Sequence, residues 1–126
     1  MNLSGVWYGR YHGTGDVAPN RFIALLSDHD GRLGGSISEP DDLGIADLRR
    51  ASVSGTRGGR SIHFVKLYDG AVLAHAVDYE GVVDDKGDVI TGRWRLAGHA
   101  SSFVMERDAS VVEEVGDMIA TEEPAG

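Results

Sequence analysis

The feature that most constrains this chain is a succession of short runs in which apolar and polar residues alternate, separated by glycine-containing turns. Roughly eight such runs lie between residues 4 and 107, and a period of two is typical of strands that bury one face. Because the connections are short, consecutive strands are expected to be antiparallel neighbours. The pattern predicts an all-β, eight-stranded antiparallel up-and-down barrel, with an open sheet or a two-sheet sandwich as alternatives.

The turn signals divide the chain into the predicted strands. Asp28-His29-Asp30-Gly31 and Arg57-Gly58-Gly59 have the composition of hairpin turns. A longer loop containing Pro40 is expected between the third and fourth strands. The predicted strands cover about residues 4–12, 21–27, 32–38, 51–55, 61–68, 73–83, 89–96 and 101–107.

The first and last predicted strands carry two side chains that suit closure of a barrel. Trp7 stands two residues after Gly5 in the first strand, and Arg107 ends the last one. In a closed barrel these strands are neighbours, so the indole can plug one end while the guanidinium stacks over it. We therefore expect Trp7 and Arg107 to seal the floor of the barrel.

The alternation also sorts the inward side chains by height along the barrel axis. The end that holds Trp7 and Arg107 collects otherwise apolar residues. The opposite end mixes aromatic rings with ionisable groups, as small-molecule sites do. The ligand-binding residues predicted at this mouth are Tyr11, Phe22, Glu39, Lys66, Tyr68, His75 and Trp94.

Several of these residues have a structural interpretation beside the functional one. An inward Lys66 is costly unless it is paired or hydrated, so Glu39, the Tyr68 hydroxyl or a ligand anion should satisfy it. A bulge in the fifth strand would instead turn Lys66 to solvent. His75 can serve as a hydrogen-bonded wall residue, and Trp94 and the tyrosine rings as core.

Composition excludes several classes of function. The net charge of −8 and the pI of about 4.9, without a basic stripe, argue against nucleic-acid binding. The absence of cysteine rules out disulfides and thiolate metal sites. The histidines lack metal-ligand spacing, so we expect no metal and no cofactor. Without a membrane-length apolar stretch or a leader-like start, the chain is expected to be cytoplasmic and not to contact a membrane.

Residues 109–126 differ from the barrel that precedes them, which is expected to occupy residues 1–108. Ser110 and Glu113 have capping-box spacing, and Val111, Val115 and Met118 fall on one helical face. We predict a short helix over about residues 110–120, followed by an acidic end. It would either cover part of the outer wall or contact a partner.

The outer wall is also more apolar than a solitary barrel needs. Side chains that the alternation directs outward include Ile23, Leu25, Val65, Leu67 and Val104. Exposed apolar surface of this kind marks interaction sites. We therefore expect a homo-oligomer, in the first instance a homodimer, unless the C-terminal residues cover part of the wall.

The pattern resembles the calycins, the superfamily of lipocalins, fatty-acid-binding proteins and avidin-like barrels. The resemblance rests on Gly5-x-Trp7, on Arg107 and on the meander between them, and the glycine-spaced strands Gly31–Gly35 and Gly92-Arg93-Trp94 are most similar to the avidin-like branch. It implies the barrel fold but not a ligand, because the first strand offers no equivalent of the Asn and Ser with which avidins hold biotin. Uncharacterised bacterial proteins that share Ile62-x-Phe64-x-Lys66-x-Tyr68, Tyr79-x-Gly81 and Gly92-x-Trp94 also resemble this chain.

Three functional hypotheses follow. The first is a non-enzymatic barrel that binds a small, largely apolar ligand with one anionic or hydrogen-bonding group. The second is a small enzyme in which Glu39 or His75 acts as general base and Lys66 or Tyr68 steadies a developing anion. The third is an interaction module whose outer wall matters more than its interior.

Overall fold

The computed structural model describes residues 1–13, 18–40, 48–69 and 76–108. His75 and the helix predicted for residues 110–120 lie outside the described residues. Within the described part of the chain, no helix is long and apolar enough to cross a membrane.

Eight antiparallel strands form a closed barrel in which each strand pairs with the next and the last pairs with the first, as predicted. Sequential pairing is that of an up-and-down meander, so the open sheet and the sandwich are excluded. The strands are β1 (Gly5–Tyr11), β2 (Asn20–His29), β3 (Arg32–Pro40), β4 (Leu48–Gly58), β5 (Ser61–Tyr68), β6 (Ala76–Val83), β7 (Val89–Leu96) and β8 (His99–Arg107).

Four strands extend further than predicted: β2, β3, β4 and β8. β2 continues through His29, and only Asp30 and Gly31 form the turn, with φ angles of 53° and 90°. Positive φ at both central residues is the geometry of a two-residue hairpin turn that matches strand twist. Likewise β4 begins at Leu48 rather than near residue 51, because its pairing with β3 continues to Pro40.

Side chains fill the barrel from the floor upward. The Phe64 and Tyr79 rings stack with centroids 4.8 Å apart, and Phe103 meets Tyr79 edge-on at 4.9 Å. Gly9 leaves room for the Phe22 ring, which occupies the place of a side chain on β1. Such close filling matches the expected capacity of an eight-stranded barrel. The buried apolar core consists of Leu3, Trp7, Phe22, Ala24, Leu26, Leu33, Ile37, Ala51, Val53, Ile62, Phe64, Val77, Tyr79, Val83, Ile90, Trp94, Phe103 and Met105.

Trp7 and Arg107 are cross-strand partners at the floor of the barrel. The Arg107 guanidinium lies 4.8 Å from the Trp7 ring centroid, within the range of a cation–π contact. The indole Nε1 donates to the Leu3 carbonyl at 2.9 Å. Arg107 also donates to the carbonyl oxygens of Ser4 and Gly87 at 3.0 and 2.8 Å, which ties the chain start to the β6–β7 turn.

A second polar cluster holds the N-terminal residues against the β2–β3 hairpin. The buried Asp28 carboxylate accepts hydrogen bonds from the Leu3 amide at 3.0 Å, the Gly31 amide at 2.9 Å and the Arg57 Nε at 2.7 Å. Burial by itself would raise the pKa of Asp28, but the bonds from Arg57 and the two amides outweigh it, and the pKa is lowered. The charged carboxylate is therefore the form that stabilises the floor.

Gly92 is expected to be intolerant of a side chain because β6 and β7 approach closely there. A methyl group on Gly92 would collide with the Glu80 carbonyl oxygen. We expect Gly92→Ala to lower the free energy of unfolding by about 1–3 kcal/mol, as for other overpacked sites. Gly58→Ala is the matched control, since nothing lies near its added methyl group. Equal urea midpoints for the two variants would contradict this account.

The lowered pKa of Asp28 predicts how stability depends on pH. A depressed folded-state pKa contributes stability that is complete above the unfolded value, about 3.9, and disappears as the pH falls through the folded value. Asp28→Asn should therefore be about 1–3 kcal/mol less stable than wild type at neutral pH. The difference in unfolding free energy between the two proteins should narrow below about pH 4. Urea titrations at several pH values measure this difference.

Asp85→Asn serves as the control for charge alone. Asp85 pairs with Arg60 on the surface, and its side chain is 90% exposed. Its replacement should leave stability unchanged across the same pH range. A constant gap between wild type and Asp28→Asn down to low pH would contradict the assignment.

Candidate ligand site at the barrel mouth

Five of the seven predicted site residues come together at the end of the barrel opposite Trp7, where two form a buried ion pair and three surround it. Tyr11 and Tyr68 end β1 and β5, and Phe22 lies near the start of β2. Because neighbouring strands run in opposite directions, these positions reach the same end of the barrel. Glu39 and Lys66 complete the group from β3 and β5.

Lys66 points into the barrel, and the solvent-facing alternative is excluded. Lys66 is 1% exposed, and its Nζ lies 2.6 Å from the Glu39 Oε1. The carboxylate itself is 2% exposed. A buried ion pair of this kind is tolerated only when its members are paired and hydrogen-bonded.

Aromatic rings surround the Lys66 ammonium on its remaining sides. Its Nζ lies 4.6 Å from the centroid of Tyr11, 4.7 Å from that of Tyr68 and 5.2 Å from that of Tyr79. Phe22 is slightly further away, at 5.8 Å. The negative faces of such rings replace part of the lost hydration of a cation. Burial nevertheless dominates, and it lowers the pKa of Lys66 although Glu39 opposes that effect.

The Glu39 carboxylate is occupied by two further donors. The Tyr68 hydroxyl lies 2.9 and 3.1 Å from its two oxygens. Arg49 donates from Nη2 to Oε2 at 3.1 Å. Burial, reinforced by the charge of Glu39, raises the pKa of Tyr68 far above its ordinary value, so the phenol remains a donor. Among described residues, every buried side-chain polar atom has a hydrogen-bond partner.

Arg49 was missed by the sequence analysis. Its guanidinium lies 5.0 Å from the Tyr68 ring centroid, and its side chain remains 46% exposed above the buried pair. The prediction failed because the fourth strand was expected to begin near Ala51, which left Arg49 in a loop. Extending the alternation two residues back from Ala51 would have directed Arg49 toward the interior.

A cleft of about 270 Å³ opens beside Arg49 at the rim of the barrel. Glu39 contributes to its base, and Tyr11 provides an aromatic wall. Asn20 and Arg21 enter from the start of β2, where the alternation alone marks Arg21 as an outward residue. The described lining consists of Tyr11, Pro19, Asn20, Arg21, Glu39, Pro40 and Arg49.

The other predicted site residues lie beneath the cleft or outside the described chain. Trp94 is buried, meets Tyr11 edge-on at 6.3 Å between centroids, and donates from Nε1 to the His12 carbonyl at 2.8 Å. Trp94 and Phe22 therefore support Tyr11 from below. His75 is among the residues that are not described.

The part of the chain that the structure describes holds no group of three or more His, Asp or Glu side chains that could bind a metal ion. The charged and hydroxyl side chains that the structure describes at the mouth are those of Lys66, Arg49, Arg21, Glu39, Tyr11 and Tyr68. These groups can bind an anion through charge-assisted hydrogen bonds.

The closed eight-stranded architecture is compatible with a calycin-like fold. Comparison of the chain with protein-family models, with curated proteins and with solved structures finds no match.

The Glu39–Lys66 pair should show strong energetic coupling. Lys66→Met leaves a buried carboxylate with one donor fewer, and we expect a loss of about 3–5 kcal/mol in unfolding free energy. The double variant Glu39→Gln/Lys66→Met should lose less than the sum of the single variants by about 1–3 kcal/mol. Urea unfolding of the four proteins measures this coupling.

The Arg10–Glu106 pair provides the matched control. Its atoms are 3.5 Å apart, and the two side chains are 46% and 55% exposed on the outer wall. The corresponding cycle with Arg10→Met and Glu106→Gln should give a coupling of only about 0.2–1 kcal/mol. Additive losses at Glu39 and Lys66 would contradict the described geometry.

Proposed function

We propose that this protein is a non-enzymatic binding barrel that takes a small anion with a compact apolar body at its mouth. The observation that carries the proposal is the position of Arg49. One of its nitrogens holds Glu39, while nearly half of its side chain stays accessible at the cleft. A partly accessible guanidinium is suited to a carboxylate or a similar planar anion.

The balance of charge at the mouth supports an anionic ligand. Lys66 already offsets the Glu39 carboxylate at 2.6 Å. Arg49 adds a further positive charge beside the cleft, and Arg21 adds another at its rim. Among the described residues that line the cleft, two arginines and one carboxylate are charged, and that carboxylate is already paired with Lys66, although the chain as a whole carries a net charge of −8.

The shape of the site supports a compact ligand. Pro19, Pro40 and the Tyr11 ring give the cleft apolar surface. Below it, Phe22, Lys66 and Tyr79 are buried and fill the barrel. A volume of about 270 Å³ is at the lower end for ligand pockets, which commonly begin near 300 Å³. The ligand class expected is an aromatic or short-chain carboxylate held at the rim, rather than a long acyl chain inside.

The enzyme alternative receives less support from the same contacts. A general base needs a lone pair that can reach a substrate proton. The Glu39 oxygens already accept hydrogen bonds from Lys66, Tyr68 and Arg49. Both oxygens are therefore already engaged by donors of the protein itself.

Kinship with the calycins is part of the same proposal. The cross-strand Trp7–Arg107 stack at a sealed floor and the candidate site at the opposite end support it. Calycins hold a ligand at the open end of the barrel. The same use here would explain why charged groups and aromatic rings are concentrated at the mouth.

Binding of matched acids and amides tests the proposed ligand class. Benzoate and indole-3-acetate are titrated by calorimetry against their neutral amides, which have the same shape. The acids should bind and the amides should bind at least tenfold more weakly, since a hydrogen bond to a charged group contributes about 1.5–3 kcal/mol. Equal binding of acid and amide, or binding of neither acid, would contradict the proposal.

Two matched arginine variants test whether the ligand binds beside Arg49. Arg49→Gln should weaken binding of the acid about tenfold or more, by loss of the charge-assisted bond. Arg32→Gln removes the same charge from an exposed position at the floor end of β3 and should leave the affinity unchanged. An equal loss in both variants would indicate a general charge effect instead.

A further inference from the structure

The outward side chains of β1, β2 and β8 form an exposed face in which Val6, Tyr8, Ile23 and Leu25 make an apolar patch. On β8, Glu106 stands beside Tyr8, and Val104 stands beside Arg10. Tyr8, Ile23 and Leu25 are 50%, 45% and 53% exposed. Val6 stands opposite Leu25, and Tyr8 stands opposite Ile23, so the side chains form adjacent rows. A soluble barrel seldom leaves such a face uncovered.

The described chain leaves the barrel directly beside this face. The Asp108 amide donates to the Val6 carbonyl at 2.8 Å, which continues the β8–β1 ladder one residue beyond Arg107. Asp108 also forms a side-chain hydrogen bond with Tyr8. Residues 109–126 thus start at the floor end of the β1–β2–β8 face, so only a short reversal is needed to bring them over it.

The C-terminal sequence has the length and pattern to cover the face. From Val111 to Ile119 the predicted helix rises about 12 Å, at about 1.5 Å per residue. The face extends about 13 Å along β1 from Val6 to the level of Arg10, at about 3.3 Å per residue. Asp108 is held in the β8–β1 ladder, so Ala109 alone separates it from Ser110, the predicted N-cap.

Charge at the borders of the face favours the same arrangement. Arg10 and Arg21 are exposed cross-strand partners on its mouth side; Arg10 also pairs with Glu106 at 3.5 Å, and Arg21 also lines the rim of the cleft. A helix that begins at the floor end would bring the acidic residues Glu122 and Glu123 toward these arginines. Opposite charges at this border would favour one direction of the segment over the reverse.

We infer that residues 109–120 dock on the β1–β2–β8 face of their own barrel, with the row Val111, Val115 and Met118 against Tyr8, Ile23 and Leu25. The short tether gives the segment a high effective concentration at the face, which a second copy of the chain reaches only at high protein concentration. The β1–β2–β8 face would thereby be covered within one chain.

Cross-linking of the full-length protein tests the docking directly, because the chain contains no cysteine. Leu25→Cys/Val115→Cys is treated with a short bis-maleimide, and the products are mapped by mass spectrometry. The matched control is Val82→Cys/Val115→Cys, since Val82 is 52% exposed on β6, on the far side of the barrel from β2. The Leu25 pair should cross-link on the order of tenfold faster than the Val82 pair.

Mixing isotopically labelled and unlabelled chains separates the outcomes. Cross-links within one chain, enriched at Leu25, support the inference. Cross-links between chains would overturn it and assign the face to a second copy. Equal rates at Leu25 and Val82, or no cross-link at either position, would overturn it as well.

Discussion

Pairing of β1 with β8 gives every strand of this protein a neighbour on both sides, so that each side chain is committed to the interior or to the outer wall. Closure removes the exposed strand edges of an open sheet. It also creates two distinct ends, and side chains fill the space between them, as expected for a barrel of eight strands. The separation of a sealed floor from an open mouth depends on that closure.

The two ends handle buried charge in different ways. At the floor, Arg107 stacks on Trp7 and donates to backbone carbonyls, so a cation serves as part of a seal. At the mouth, Glu39 and Lys66 face each other at 2.6 Å inside a ring of aromatic side chains. Buried ion pairs seldom improve stability over apolar packing. Retaining one at the open end of a packed barrel is easier to understand if it orients Arg49 and Tyr68 for a ligand.

Much of this site was accessible to reasoning from the sequence. Alternation placed Lys66 inside the barrel and Glu39 and Tyr68 at the same height. Because an unpaired buried lysine is costly, these two residues were predicted to be its partners. Arg49 was missed because β4 was expected to begin too late. Arg21 was missed because a residue directed outward by alternation can still line the rim when its strand begins there.

The sequence by itself determined an all-β meander and most of the membership of its inner and outer surfaces, since a period of two is a local property that any strand must obey. Only the tertiary structure decided that β8 closes on β1 and which inward groups touch. Glu39 and Lys66 are 27 residues apart in sequence, and their contact depends on the register of three strands and on side-chain torsions. The tertiary structure also decided that the interior is filled up to Lys66, which limits the candidate site at the mouth to its rim.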